Sequence, residues 1–188
     1  NYAGVTSVNA GALAINGHLG SGTVAVANGA ILSGAGVAGL MITGDGQIAP
    51  GDSPGILATQ TLAPTSLTSF AFQFTGTGAP LWSIETASVN DVLRLTDASN
   101  PFASSLTSSN LVDVFFDVPT LTLGTTFQGG FYTDKSANFT SNIAAATYHY
   151  YVRGDGLGTD ATYGGQGYYA LPAWAAVNMP SYTNVLVS

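Results

Sequence analysis

The chain has 188 residues and a formal net charge of −7, with 3 Lys and Arg against 10 Asp and Glu. So few cations cannot neutralise a run of phosphates, which excludes nucleic-acid binding and attraction to anionic lipid. No segment approaches the roughly 20 apolar residues that span a bilayer, and the absence of Cys excludes a disulfide scaffold and most zinc sites.

Only 7% of residues are charged, against about 25% in an ordinary soluble domain. Low charge with abundant Gly, Ser, Thr, Asn and Tyr suits exported β material. Asn1 is not an initiator, so the chain reads as processed or trimmed, with any address signal removed.

Residues 1–64 repeat themselves. Val8-Asn9-Ala10-Gly11-Ala12-Leu13 recurs as Val26-Ala27-Asn28-Gly29-Ala30-Ile31, and more loosely as Ile42-Thr43-Gly44-Asp45-Gly46-Gln47-Ile48. The turn glycines Gly11, Gly29 and Gly46 are 18 and then 17 positions apart. Short β-type runs at a fixed period of about 18 predict a solenoid whose coils bury apolar side chains only by stacking. Val5, Ser7 and Asn9 share a strand face. The expected inward pairs are Leu13 with Ile15, Val24 with Val26 and Leu40 with Ile42, and the expected ladder is Leu13–Ile31–Ile48. Ala49–Gly55, with two prolines and two glycines, predicts a fixed corner followed by a strand over Ile56–Leu62.

After residue 65 the period is lost. Phe70–Phe74, Leu81–Ile84, Val92–Leu95 and Leu111–Val118 alternate as half-buried strands. Gly124–Phe131 reads as a turn and short strand. Ala137–Ala146 is the candidate helix with Ser136 as N-cap. Tyr148–Arg153 is a further strand, and Ala170–Asn178 a second helical piece broken by Pro172. The expectation is an all-β chain: a short parallel β-helix over 1–64, then an antiparallel, sandwich-like, aromatic and glycine-rich domain over 65–188.

Residues 8–64 resemble the autotransporter-associated β-strand repeats of bacterial surface proteins. The carrying motifs are Val-Asn-Ala-Gly-Ala-Leu (8–13), Gly-Thr-Val-Ala-Val-Ala-Asn-Gly-Ala-Ile-Leu-Ser-Gly-Ala-Gly (22–36) and Ile-Ala-Pro-Gly-Asp-Ser-Pro-Gly-Ile-Leu (48–57). The resemblance implies a right-handed parallel β-helix on a Gram-negative cell surface and no catalytic residues. Phe115-Phe116-Asp117 and Phe127–Phe131 look more loosely like exported proteins with a PEP-CTERM sorting tail, although no such tail is present.

Candidate chemistry is sparse. His18 lies in an exposed turn and His149 among tyrosines; no G-x-S-x-G nucleophile elbow accompanies them. Asp113 and Asp117 share a strand face at a Cα separation of about 13 Å, wider than paired glycosidase carboxylates. Asp155 and Asp160, among the glycines of 154–160, form a candidate calcium loop, with a plain glycine-rich hairpin as the alternative. Tyr163, Tyr168, Tyr169 and Trp174 are candidate interface aromatics, with burial in a domain core as the alternative.

The resulting expectation is a non-enzymatic extracellular structural protein of the bacterial surface. It would self-assemble into a cell-surface filament or matrix through exposed β-edges and aromatic contacts. A monomeric adhesin passenger and a carbohydrate-binding or carbohydrate-active β-helix are the alternatives. No cofactor is required beyond the candidate calcium.

Overall fold

A computed structural model describes residues 2–51, 54–76, 89–97, 99–118, 127, 129–133, 139–153 and 168–170. The strands are β1 (Thr6–Val8), β2 (Ala12–Ala14), β3 (Thr23–Val26), β4 (Ile31–Gly34), β5 (Met41–Gly44), β6 (Gln47–Pro50), β7 (Ile56–Thr59) and β8 (Thr61–Pro64). They continue with β9 (Ser69–Phe74), β10 (Val92–Leu95), β11 (Leu111–Phe116), β12 (Gly130–Thr133), β13 (Thr147–Arg153) and β14 (Tyr168–Ala170). The helix α1 (Phe139–Ile143) precedes β13. The described chain is therefore all-β in class, as composition and alternation predict.

The strands form three sheets: β1-β3-β5-β8, then β7-β10-β12, then β2-β4-β6-β9-β11-β13-β14. The chain visits them in a fixed cyclic order. β1 lies in the first sheet and β2 in the third, while His18 and Val37 extend the second by parallel bridges to Val37 and Ala58 respectively. The cycle repeats through β3, β4 and Val37, and again through β5, β6 and β7. It persists beyond residue 65: β8, β9 and β10 are followed by Phe102 (bridged to Leu62 in the first sheet), β11 and β12. α1 then occupies the first-sheet slot before β13.

Stacked partners lie about one cycle apart in sequence. Asn16 bonds Ala35 across 19 residues and Thr43 bonds Ala63 across 20, whereas His149 meets Asp113 across 36. The later cycles are longer, and their strands still pair in parallel. β9 pairs β11, β11 pairs β13, and β10 pairs both β7 and β12, all parallel. Antiparallel strand pairing, expected throughout 65–188, is found among the described strands only between β13 and β14. The third sheet also passes through positions 64–70 by pairing Gln47 with Ser69 and Ile48 with Phe70.

Alternation selects the core. Thr6, Val24, Ile42 and Leu62 form one inward ladder across the first sheet. Leu13, Leu32, Ile48, Phe70, Val112 and Tyr148 form another across the third. The expected Leu13–Ile31–Ile48 ladder is thus corrected by one residue: Leu32 takes the inward place, and Ile31 pairs with Ala12 and Gln47. Three residues separate Gly29 from Leu32, where two separate Gly11 from Leu13 and Gly46 from Ile48. One extra corner residue exchanges the faces. Leu40, expected inward, is 43% exposed because it precedes β5 in a corner, where its N–H donates to Gly22. The single strand expected over Ile56–Leu62 is two strands in different sheets, broken at the exposed Gln60. Val24, Val26 and Ile15 are buried as expected, and Leu13 packs against the core.

The core is aliphatic in the first cycles and becomes aromatic where the cycles lengthen. Phe70, Phe72, Phe74, Phe116 and Phe131 are fully buried, and Phe131 sits edge-on to Phe70 and Phe72 at 4.9 and 5.1 Å. One turn recurs just before four strands of the third sheet. An i+3 N–H donates to the i carbonyl in Ala27–Ala30, Thr65–Thr68, Thr107–Asn110 and Ile143–Ala146.

Candidate functional site

The outer face of the third sheet carries the densest chemistry among the described residues. Phe70, Phe72 and Phe74 of β9 point inward, so Ala71 and Gln73 point out. On β11, Val112, Val114 and Phe116 are inward, leaving Asp113 and Phe115 outside, with Asp117 just beyond the strand. On β13, Tyr148, Tyr150 and Val152 pack against the core, leaving His149, Tyr151 and Arg153 outside. Parallel register then sets Asp113 opposite His149 and Phe115 opposite Tyr151.

Each outward acid meets a base. His149 Nδ1 lies 3.1 Å from Asp113 Oδ1. Arg153 donates to both oxygens of Asp117 at 3.0 and 2.8 Å, and Gln73 Nε2 donates to Asp117 Oδ2 at 3.0 Å. The guanidinium also lies 5.8 Å from the centre of the Tyr168 ring. The Asp117 carboxylate, bonded to it, raises the Arg153 pKa. Between these two contacts Phe115 stacks on Tyr151 at 4.9 Å, and Tyr168 meets Phe115 edge-on at 5.1 Å. Burial is the largest cause raising the Tyr168 pKa. On the inward face, desolvation raises Tyr148 and pushes Tyr150 up to about 12.

A cleft of ≈ 340 Å³ opens beside this cluster, lined in part by Ser33, Pro50, Gln73, Asp91 and Phe115. It lies where β6 and β9 part company, beyond their paired residues Gln47 with Ser69 and Ile48 with Phe70. The freed backbone of β9 turns to Asp91 and Asn90 instead. Gln73 N–H donates to Asp91 Oδ2 at 2.7 Å, and Asp91 N–H returns a bond to Gln73 O at 2.8 Å. Gly55 N–H donates to Asp91 Oδ1 at 3.0 Å. Asn90, fully buried, accepts from Thr75 and Gly76 and donates to Gly76 O. Two side chains thus stand in for a missing strand partner. Burial raises the Asp91 pKa well above the ordinary carboxylate value, against the two backbone N–H groups that lower it.

Asp155, Asp160, Tyr163 and Trp174 lie outside the described residues, as do Ser136 and Leu81–Ile84. Tyr169 belongs to β14, its side chain outside the described set. Tyr168 is described, and its ring is buried against Phe115 and Tyr151. His18 is exposed as expected, but it sits in the parallel bridge to Val37 and not in a turn. Asp113 and Asp117 do share an outer face, and the bases facing them come from β13. Among the described residues no group of three or more His, Cys, Asp and Glu could hold a metal ion, and no helix is long and apolar enough to cross a membrane. Sequence reading passed over Asn90-Asp91 and Asn110; the available signal was a polar pair set directly against the apolar run of β10.

No protein-family model, curated protein or solved structure matches the chain.

Proposed function

We propose that this protein is an extracellular structural protein of the bacterial surface, a β-helix that self-associates through the rim of its first coil. The cyclic order of the three sheets and the inward ladders support the coil reading. The low charge and the motifs of 8–57 support the surface reading. The observation that carries self-association is the orientation of the rim amides. Gly11 O accepts from Ile31, and Ile15 N donates to Ser33. Backbone groups alternate along a strand, so those of Ala12 and Ala14 point away from β4. Ala27 N donates to Val8 O, so Ser7 likewise points away from β3. Such a row of donors and acceptors templates another strand. The strand edge of a second copy fits that row, and with only 7% charged residues little repulsion opposes close stacking. Head-to-tail addition extends into a filament.

Light scattering over a concentration series, with negative-stain micrographs, tests this reading. The wild-type chain should form concentration-dependent assemblies, and Ala12→Pro with Ala14→Pro should abolish them while the far-ultraviolet strand signal is kept. A wild-type chain that stays monomeric and forms no fibres overturns it in favour of a monomeric adhesin passenger. The cleft beside Gln73 and Asp91 supports a second reading, carbohydrate binding; retention on immobilised polysaccharide, lost in Gln73→Leu, would favour it.

A further inference from the structure

The chain contains two Asn-Gly pairs that the fold treats oppositely. Asn-Gly is the dipeptide most open to ring closure, because glycine puts no Cβ in the way of its own nitrogen. Asn16-Gly17 is tied down. Asn16 Oδ1 accepts from Ala35 N–H at 3.0 Å on the next coil, and Val37 N–H donates to Gly17 O at 2.8 Å. A Cβ built on Gly17 would meet nothing within 4 Å, as at Gly29, but its nitrogen is flanked by the neighbouring backbone: a Cβ built on Gly36 would lie 2.7 Å from Gly17 N.

Asn28-Gly29 lacks these hydrogen bonds. Both residues are exposed at the tip of the Ala27–Ala30 turn. Gly29 has φ +80°, and a Cβ built on it would meet nothing within 4 Å. Among the described residues neither the Asn28 side chain nor the Gly29 N–H makes a hydrogen bond. The flanking bonds, Ala30 N to Ala27 O and Ile31 N to Gly11 O, hold the ends of the turn and do not engage the Asn28 side chain that closure must turn.

We propose that Asn28 is a site of spontaneous isoaspartate formation, and that Asn16 is protected from the same reaction by its coil-to-coil hydrogen bond. Gly29 N attacks Asn28 Cγ and forms the new C–N bond. The Cγ–Nδ2 bond breaks, and Nδ2 leaves as ammonia, carrying the proton lost from Gly29 N. Water then opens the five-membered imide at either carbonyl. One route leaves an ordinary aspartate at this position. The other gives isoaspartate, in which the main chain runs through the former side-chain methylene. That route lengthens the corner just ahead of β4, where coil register is set, and both routes add negative charge.

The test is peptide mapping by mass spectrometry of the intact folded chain after storage in mildly alkaline buffer at physiological temperature. An isoaspartyl methyltransferase reports the isomer, and the urea-unfolded chain serves as reference. In the folded chain the replacement of NH2 by OH should accumulate at Asn28 several-fold faster than at Asn16. In the unfolded chain the two rates should converge. Asn28→Gln should abolish the folded-state signal without altering the melting curve of the fresh protein, and loss of the Asn16 bond in Ala35→Pro should raise conversion at position 16. Equal rates in the folded chain, faster conversion at Asn16, or an unreactive Asn28 beside a reactive unfolded reference would each overturn the proposal.

Discussion

At the scale of single residues, backbone spacing between stacked strands and corners decides what each position tolerates. Gly36 faces the preceding cycle so closely that an added Cβ would lie 2.3 Å from Gly17 O, backbone against backbone. Gly36→Ala should therefore destabilise by at least about 2 kcal/mol, because neither chain can retreat without losing its ladder. Gly29→Ala has open space and meets only the positive-φ penalty of about 1–2 kcal/mol. Chemical denaturation of both variants should rank them in that order. Asp91 tests burial against hydrogen bonding. Asp91→Ala orphans the Gly55 and Gln73 amides and should cost about 2–5 kcal/mol. Asp91→Asn keeps one acceptor and removes the charge. The folded-state pKa of Asp91 is raised, so its contribution to stability is fully present below the ordinary carboxylate value of about 3.9. It is lost as pH rises through the higher folded value, where the native chain must ionise a buried group. The stability difference between wild type and Asp91→Asn should accordingly shrink over that window as pH rises, in melting curves recorded across it.

At the scale of elements, corners matter as much as strands. Asn110 closes the third-sheet corner: it donates to Thr65 O at 2.7 Å and Thr68 O at 2.9 Å, and accepts from Thr107 N at 2.8 Å. Thr68 in turn donates to Gly44 O, and Thr65 to Asp45, so three successive corners are joined. Asn110→Ala should cost about 2–4 kcal/mol, with faster hydrogen exchange at the N-terminal ends of β9 and β11. The outer polar contacts count for less. His149 and Arg153 have side chains 45% and 57% exposed, so a double-mutant cycle on Asp113 and His149 should give a coupling of about 0.2–1 kcal/mol. The elements themselves were largely legible: β9, β10, β11 and β13 fall where alternation put them. The corner-bearing Asn110 was not, since a lone Asn between Ser109 and Leu111 looks like any turn residue until its three partners are brought in from more than one corner.

At the scale of the molecule, one continuous core runs from Val8 to Ile143. Phe131 sits at its centre, touching rings from β9 and the Phe102 bridge. Phe131→Ala should cost about 3–5 kcal/mol and, because the cluster spans early and late cycles, should lower a single unfolding transition. Two separated transitions in calorimetry would show instead that the cycles before and after residue 65 unfold independently. The residues alone determined the β class, the period of the opening cycles, most strand positions and the poverty of cationic chemistry, because alternation, glycine spacing and charge are local properties. Only the tertiary structure decided that strands beyond residue 65 keep pairing in parallel and that Leu32 displaces Ile31. It alone seated His149 beside Asp113 and gave Asp91 the place of a strand. Strand direction and register depend on which distant segment lies alongside, and a corner longer by one residue, or a cycle twice as long, leaves the local pattern unchanged while reassigning every neighbour.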